Sequence, residues 1–255
     1  MDFTLNIYRR LLIILQASGY TFQTFAEFSR NPAAQAVVLR HDIDKLPDNA
    51  LRMARLEGEL GVVGSYYFRI VPAVWDERVM QRIVALGHEL GYHYEDLTIT
   101  RGDHQLAIRH FAEQLARLRR ITPVVTACMH GSPLSRHDNR DLWKTYDYRD
   151  FGIIAEPYFD VDFHQVFYLT DTGRTWKNTS ASLRDRVDSG FALAVTSTRH
   201  CIDLAARRQL PAQLMLTIHP QRWHDRRGPW LKELLGQQAK NFLKSGLSAW
   251  RSAGG

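Results

Sequence analysis

The stretch Ala36-Val37-Val38-Leu39-Arg40-His41-Asp42-Ile43-Asp44 decides how the rest of this chain is read. Four apolar residues in a row suit a strand buried on both faces, and the run then turns abruptly polar. Asp42 and Asp44, two apart on a strand, point to the same face, so both can serve one site. The alternative is that one of them caps the next helix or pairs with Arg40. His41 points away from Asp42 and reads as structural. Asp48 then reads as the N-cap of a helix carrying Leu51, Ala54 and Leu56, which Gly61 ends.

Working outward, the same strand-then-helix unit recurs. Ser65-Tyr66-Tyr67-Phe68-Arg69-Ile70 is aromatic and β-prone. Asp76 caps a helix with Val79, Met80, Ile83, Val84 and Leu86 at three/four spacing, stopped at Gly87. From Asp103 to Ile121 the apolar stripe is Ile108, Phe111, Leu115 and Leu118. Further strands are expected at Val124–Met129, Val166–Leu169, Phe191–Val195 and Gln213–His219, and a last helix from Pro229 to Lys244 with its proline in the first turn. Leu5, Tyr8, Leu12 and Leu15 have the spacing of an amphipathic docking helix. With no repeat, linker or composition break, the alternation predicts one α/β domain over 1–255 with a mostly parallel sheet, a barrel rather than two lobes. Residues 1–35 form an N-terminal helical extension in this reading, with a C-terminal helix at 228–250 packed on it.

Composition narrows the function classes. The 255 residues are 45% hydrophobic and 24% charged, which excludes a disordered or collagen-like chain. Cys128 and Cys201 are too few for a disulfide framework or a thiolate zinc site. The longest apolar run, Leu11–Leu15, is far short of the ~20 residues of a membrane span. Arg9 and Arg10 ahead of it only faintly imitate a signal peptide, so the chain reads as cytoplasmic. There are 33 Lys and Arg against 27 Asp and Glu, a net charge of +6, and the pI is about 9.4. That hints at polyanions, but the basic residues are interspersed with acids, and a solvated mixed surface is favoured over a nucleic-acid groove.

The chemistry gathers just after the strand runs, which in a barrel is the C-terminal face where ligands bind. Besides Asp42 and Asp44, the clusters are His88 to Glu95, Met129-His130-Gly131, and Thr217 to Trp223. Carboxylates and imidazoles on one rim are what a divalent-metal hydrolase needs, and such ligands suit Zn, Fe, Co, Ni or Mn. A second carboxylate can take a proton from water, and another imidazole can protonate a leaving group. His93, His130 and His219 are the candidates. His88, at a helix end, has the weaker case, and His104, His110, His137, His164, His200 and His224 read as surface or packing residues.

At these clusters the sequence resembles the polysaccharide deacetylases, carbohydrate esterase family 4, from Val37 to Trp223. The family's Asp-bearing strand end, Gly-His-Glu-Ile-Gly-x-His segment and Leu-x-x-His segment are matched by His41-Asp42-Ile43-Asp44, Gly87-His88-Glu89-Leu90-Gly91-Tyr92-His93 and Leu216-Thr217-Ile218-His219. It looks closest to a subgroup associated with O-antigen and other surface-polysaccharide biosynthesis. The similar stretches there are Tyr66–Arg69, Tyr92–Glu95, Met129–Pro133, Tyr168–Arg174 and His219–Trp223.

The resemblance implies a distorted (β/α)7 barrel and metal-dependent removal of an N-acetyl or similar N-acyl group from an amino sugar. It makes Asp42 the general base, Asp44 and His93 metal ligands, and His219 the general acid, with Asp171 placed to orient His219. Zinc is the first expectation for the metal. Substrate contacts are expected from Tyr92, Glu95, Arg174, Arg222 and Trp223. Two departures stand out. The family's second metal-binding His falls at Leu97, which cannot ligate, and His130 is expected to replace it, with Glu95 as the rival. The family's Arg-x-Pro segment, whose Arg steadies the base, is replaced by His130-Gly131. Other readings stay open: a cyclic imide, ureide or formamide hydrolase on the same fold, or a saccharide-binding relative without metal. The partner expected is a saccharide, with no nucleic acid and no transmembrane segment. Peripheral membrane association and a homo-oligomer are left open.

Overall fold

The computed structural model describes residues 1–132, 135–176 and 187–238. In chain order the elements are α1 (Leu5–Ala17), β1 (Thr21–Gln23), α2 (Phe25–Arg30), β2 (Ala36–Ile43), α3 (Pro47–Glu59) and β3 (Ser65–Phe68). Then come α4 (Glu77–Ala85), β4 (Glu89–Tyr94), α5 (Asp96–Ile99), α6 (His104–Leu118) and β5 (Ala127–Met129). The last are α7 (Pro157–Asp160), β6 (Val166–Thr170), α8 (Thr198–Ala206) and β7 (Gln213–Ile218), with a 3-10 turn at Pro220–Arg222. Residues 227–238 are helical. The remainder of the helix expected up to Lys244, and Pro133, lie outside the described residues.

The stretch that opened the reading is the hub of the sheet. One edge of β2 pairs with β7 from Ala36 to His41. Its other edge takes β1 at Ala36–Val38 and then β3 at Arg40–Ile43. The main path is six parallel strands, β5-β4-β3-β2-β7-β6, with β1 off that path. Among the described residues no ladder joins β5 to β6, so the sheet is a curled, barrel-like α/β layer left open there. No described helix is long and apolar enough to cross a membrane.

A parallel sheet of this kind must be covered on both faces. Val37 and Leu39 pack outward with Tyr8, Leu12, Leu15 of α1 and Ile202, Ala205 of α8. Ala36 and Val38 point inward with Tyr67, Cys128, Tyr168 and Met215. The same alternation separates His41 from Asp42. His41 lies outside, its Nε2 2.9 Å from the buried carboxylate of Glu57, which also accepts from the hydroxyls of Tyr8 and Tyr66 at 2.7 Å. His88 belongs to that outer layer too: its Nδ1 accepts from Gly64 N and its Nε2 donates to Ala54 O, which fixes a neutral, structural imidazole.

Inside, Gly91 of β4 lies beneath the Tyr67 ring, and a Cβ there would come within 2.3 Å of it. Gly91→Ala is therefore expected to destabilise the fold by about 3 kcal/mol through overpacking, measured by chemical denaturation. An unchanged midpoint would show that the interior yields at no cost.

Several local expectations need correcting. Asp48 does not cap α3: the cap position is Leu46, held left-handed at φ 52°, and Asp48 follows Pro47 in the first turn. Pro47, whose φ suits the first helical position, sets the start. Phe191–Val195 forms no strand among the described residues. Phe191, Leu193 and Val195 keep a period of two because they cover the outer face of the sheet, Phe191 lying 5.3 Å from the Phe167 ring. β3 stops at Phe68 and β5 is only three residues long. The N-terminal extension is also more than helical, since β1 joins the sheet. The 227–238 helix meets it where Trp230 Nε1 donates to Asp2 O at 2.8 Å.

Candidate metal and acid–base site

Inward-facing residues at the C-terminal ends of the strands build the site. On β2, Arg40, Asp42 and the following Asp44 share the inner face, as their spacing of two requires. Arg40 grips Asp42 with both arms, Nε to Oδ1 at 3.1 Å and Nη2 to Oδ2 at 2.9 Å, and both side chains are buried. The guanidinium also donates to the Tyr158 hydroxyl at 3.3 Å and lies over the Tyr158 and Tyr168 rings. Burial alone would raise the Asp42 pKa. The charges of Arg40, His93 and His219 outweigh it, so Asp42 stays below the usual carboxylate range and is ionised at neutral pH.

Asp44 is where three imidazoles converge. His93 Nε2 is 3.6 Å and His130 Nε2 3.5 Å from Asp44 Oδ1, and His219 Nε2 is 3.8 Å from Oδ2. Each ring is tethered at its other nitrogen: His93 Nδ1 to Cys128 O at 2.9 Å, His130 Nδ1 to Glu95 Oε2 at 2.8 Å, and His219 Nδ1 to Asp171 Oδ1 at 2.6 Å. A donor bond from Nδ1 leaves the Nε2 lone pair aimed inward, the arrangement found behind metal-ligating histidines. Asp44 Oδ1 is buried with no hydrogen-bond partner, while Oδ2 accepts from Gln221 Nε2 at 3.2 Å. Burial would raise Asp44 as well, but the imidazoles of His93, His130 and His219 around it hold it well below its ordinary value. Burial lowers His93, yet Asp42 and Asp44 reverse this and raise it. The pair of carboxylates thus favours a cation at that nitrogen, whether a proton or a metal.

One oxygen and two nitrogens, from Asp44, His93 and His130, lie close enough to share an ion. Asp42, His93 and Cys128 form a second grouping whose ligand atoms lie within 4.8 Å of one another. It is the poorer set, because Arg40 occupies both oxygens of Asp42. Glu95 is not placed as a ligand or a substrate contact. Its carboxylate backs His130 and receives Arg69 Nε at 2.8 Å and Nη2 at 2.9 Å. Glu95→Gln should weaken metal affinity by about tenfold, read by chelator competition, because it loosens the ring that His130 presents. An unchanged affinity would remove Glu95 from that role.

Asp171 accepts four hydrogen bonds through its carboxylate, from His219 Nδ1 and backbone N, from Arg222 Nη1 at 2.8 Å and from Trp223 Nε1 at 2.8 Å. Burial pushes its pKa up, and Arg222 and His219 bring it below the ordinary value. Asp171 therefore orients His219 and can stabilise its protonated form.

Four further residues expected to touch substrate are elsewhere or otherwise engaged. Trp223 is 1% exposed and packed edge-on or tilted among Phe3, Tyr8 and Trp176, so only its N–H serves the site. Arg222 is spent on Asp171. Arg174 donates to Trp230 O at 3.2 Å and lies over the Phe3 and Trp230 rings, where it anchors the start of the last helix. Tyr92 alternates with His93 and faces outward under α6, its hydroxyl on Asp96 and its ring 5.1 Å from Phe111. Conversely, Arg69 and Gln221 carry roles the sequence did not suggest, and Arg40, weighed above only as a structural alternative for one of the two aspartates, holds Asp42 within the site. The two-residue spacing that united Asp42 with Asp44 also applies to Arg40, so that signal was present. Arg69 and Gln221 carry no such pattern. No family model matches this chain, and no curated protein matches it significantly.

Proposed function

We propose that this chain is a divalent-metal-dependent hydrolase that removes an N-acyl group, acetyl first of all, from an amino sugar, on a barrel of the seven-stranded deacetylase type. The observation that carries the reading is the convergence of three tethered imidazoles on Asp44, beside a buried Asp42 kept ionised by Arg40. Asp44, His93 and His130 are the residues that would hold the ion; their donor set suits zinc and also iron, cobalt, nickel or manganese. Such an ion supplies a Lewis acid for the scissile carbonyl oxygen.

The chain's own residues divide the proton work. Asp42, ionised and 3.9 Å from His93 Nε2, takes a proton from the attacking water. Arg40 steadies that carboxylate, a task the family resemblance leads one to expect from the strand that here ends in His130-Gly131. His219 donates through Nε2 to the departing amine, and the Asp171 charge supports the imidazolium it must carry beforehand. The amino-sugar substrate rests on the resemblance, whose motifs coincide with the residues that meet here.

The test is acetate release by the metal-reconstituted protein from free, nucleotide-linked and polymeric N-acetylated amino sugars. Turnover that disappears on chelation and returns with metal is the expected result. Ring opening of cyclic imides or deformylation without acetate release would overturn the substrate. Chelator-indifferent saccharide binding with no turnover would overturn the enzyme reading.

A further inference from the structure

The site leaves one feature of the molecule unused: a group of arginines around the N-terminal half of α1. Arg9, Arg52 and Arg55 line a cavity of about 380 Å³ between α1 and α3. Arg10 and Arg199 line a neighbouring one of about 360 Å³ between α1 and α8. The two cavities share Asn6 and Asp225, which are joined by a hydrogen bond from Asn6 N to Asp225 Oδ1. Arg226 and Arg227, both exposed, follow Asp225 directly. The cavity linings hold five arginines against two carboxylates, Glu59 and Asp225, and Glu59 is already paired with Arg9 at 2.5 Å.

Exposed aliphatic side chains accompany these charges at helical spacing. Ile13, 45% exposed, lies one turn beyond Arg9 on α1. Leu231 and Leu235, 50% and 57% exposed, continue the stripe that Arg227 begins at the start of the last helix, since residues four apart share a helix face. Charge alone would suit any polyanion. Arginines followed one turn later by unburied leucine and isoleucine suit an interface where phosphate lies above hydrocarbon.

We propose that this face docks on a bilayer carrying anionic phospholipid, with headgroup phosphates in the two arginine-lined cavities and Ile13, Leu231 and Leu235 entering the acyl boundary. The inference does not depend on the hydrolase reading.

Flotation of the full-length protein with vesicles tests it. Wild type should float with phosphatidylglycerol/phosphatidylcholine vesicles, stay behind with phosphatidylcholine alone, and be released by salt. At about fivefold for each arginine near the surface, Arg52→Glu/Arg55→Glu/Arg199→Glu should lower the partition constant by at least about a hundredfold. Leu231→Ser/Leu235→Ser, which leaves the charge unchanged, should lower it by roughly tenfold. Circular dichroism and thermal melting of each variant would confirm that it is folded. Failure of folded wild type to float with anionic vesicles would overturn the proposal, as would flotation that survives charge reversal. Retention on single-stranded RNA stronger than on vesicles, and indifferent to the leucine changes, would assign the face to nucleic acid instead.

Discussion

Asp42→Asn is expected to lower deacetylation by at least about 10³-fold while leaving bound metal near the wild-type level. The amide keeps the size of the carboxylate and can still accept from Arg40, but it cannot take a proton from water. The Arg40 guanidinium, 0% exposed, would lose its counter-charge. A stability loss of up to about 3 kcal/mol should therefore accompany the change. Assays are best run well below the variant's melting temperature, with metal content measured on the same sample. Full activity in a folded, metal-loaded variant would remove Asp42 from the mechanism. Loss of metal together with activity would instead make Asp42 a ligand, which its double grip by Arg40 argues against.

The second large effect concerns the ion. Wild type purified without a histidine tag should carry close to one equivalent of divalent metal by elemental mass spectrometry, and both Asp44→Ala and His130→Ala should lose it. Residues behind the ligands typically contribute 10- to 100-fold in affinity, and a direct ligand contributes more. A drop beyond about 100-fold is thus expected for each. His130→Ala is the decisive variant, because only the tertiary structure brings its ring within 3.5 Å of Asp44 Oδ1. Metal retained in His130→Ala but lost in Asp44→Ala would move the third ligand elsewhere. Glu95, whose oxygens face Arg69 and His130, would still be poorly placed to supply it.

Much of this site could be read in advance, for reasons that differ by residue. Asp42, Asp44, His130, Asp171 and His219 each follow or end an apolar strand run, and parallel strands deliver such residues to one rim regardless of the loops between them. No strand was expected at Glu89–Tyr94, and His93 was legible from its place after Gly91 and from the motif it completes. The expected substrate contacts are engaged within the fold instead of gathering at the rim. Tyr92, Arg174, Arg222 and Trp223 sit in the same stretches as site residues, yet neighbours in a strand face opposite ways, and a large aromatic at a sheet end is drawn inward by burial. Phe191–Val195 misled through its period of two, which reports only that alternate side chains are buried and says nothing about ladder partners.

By itself, then, the sequence determined the alternation of strands and helices, the parallel sheet, the docking of α1, and the rim on which carboxylates and imidazoles meet. These follow from local periodicity and strand direction, which are properties of short segments. Only the tertiary structure decided that Arg40 holds Asp42, that Glu95 stands behind His130, and that Trp223 and Arg222 serve Asp171. Those pairings join residues 2 to 52 positions apart. They depend on which buried donors and acceptors the folded chain brings within reach of one another, and no window of sequence contains that balance.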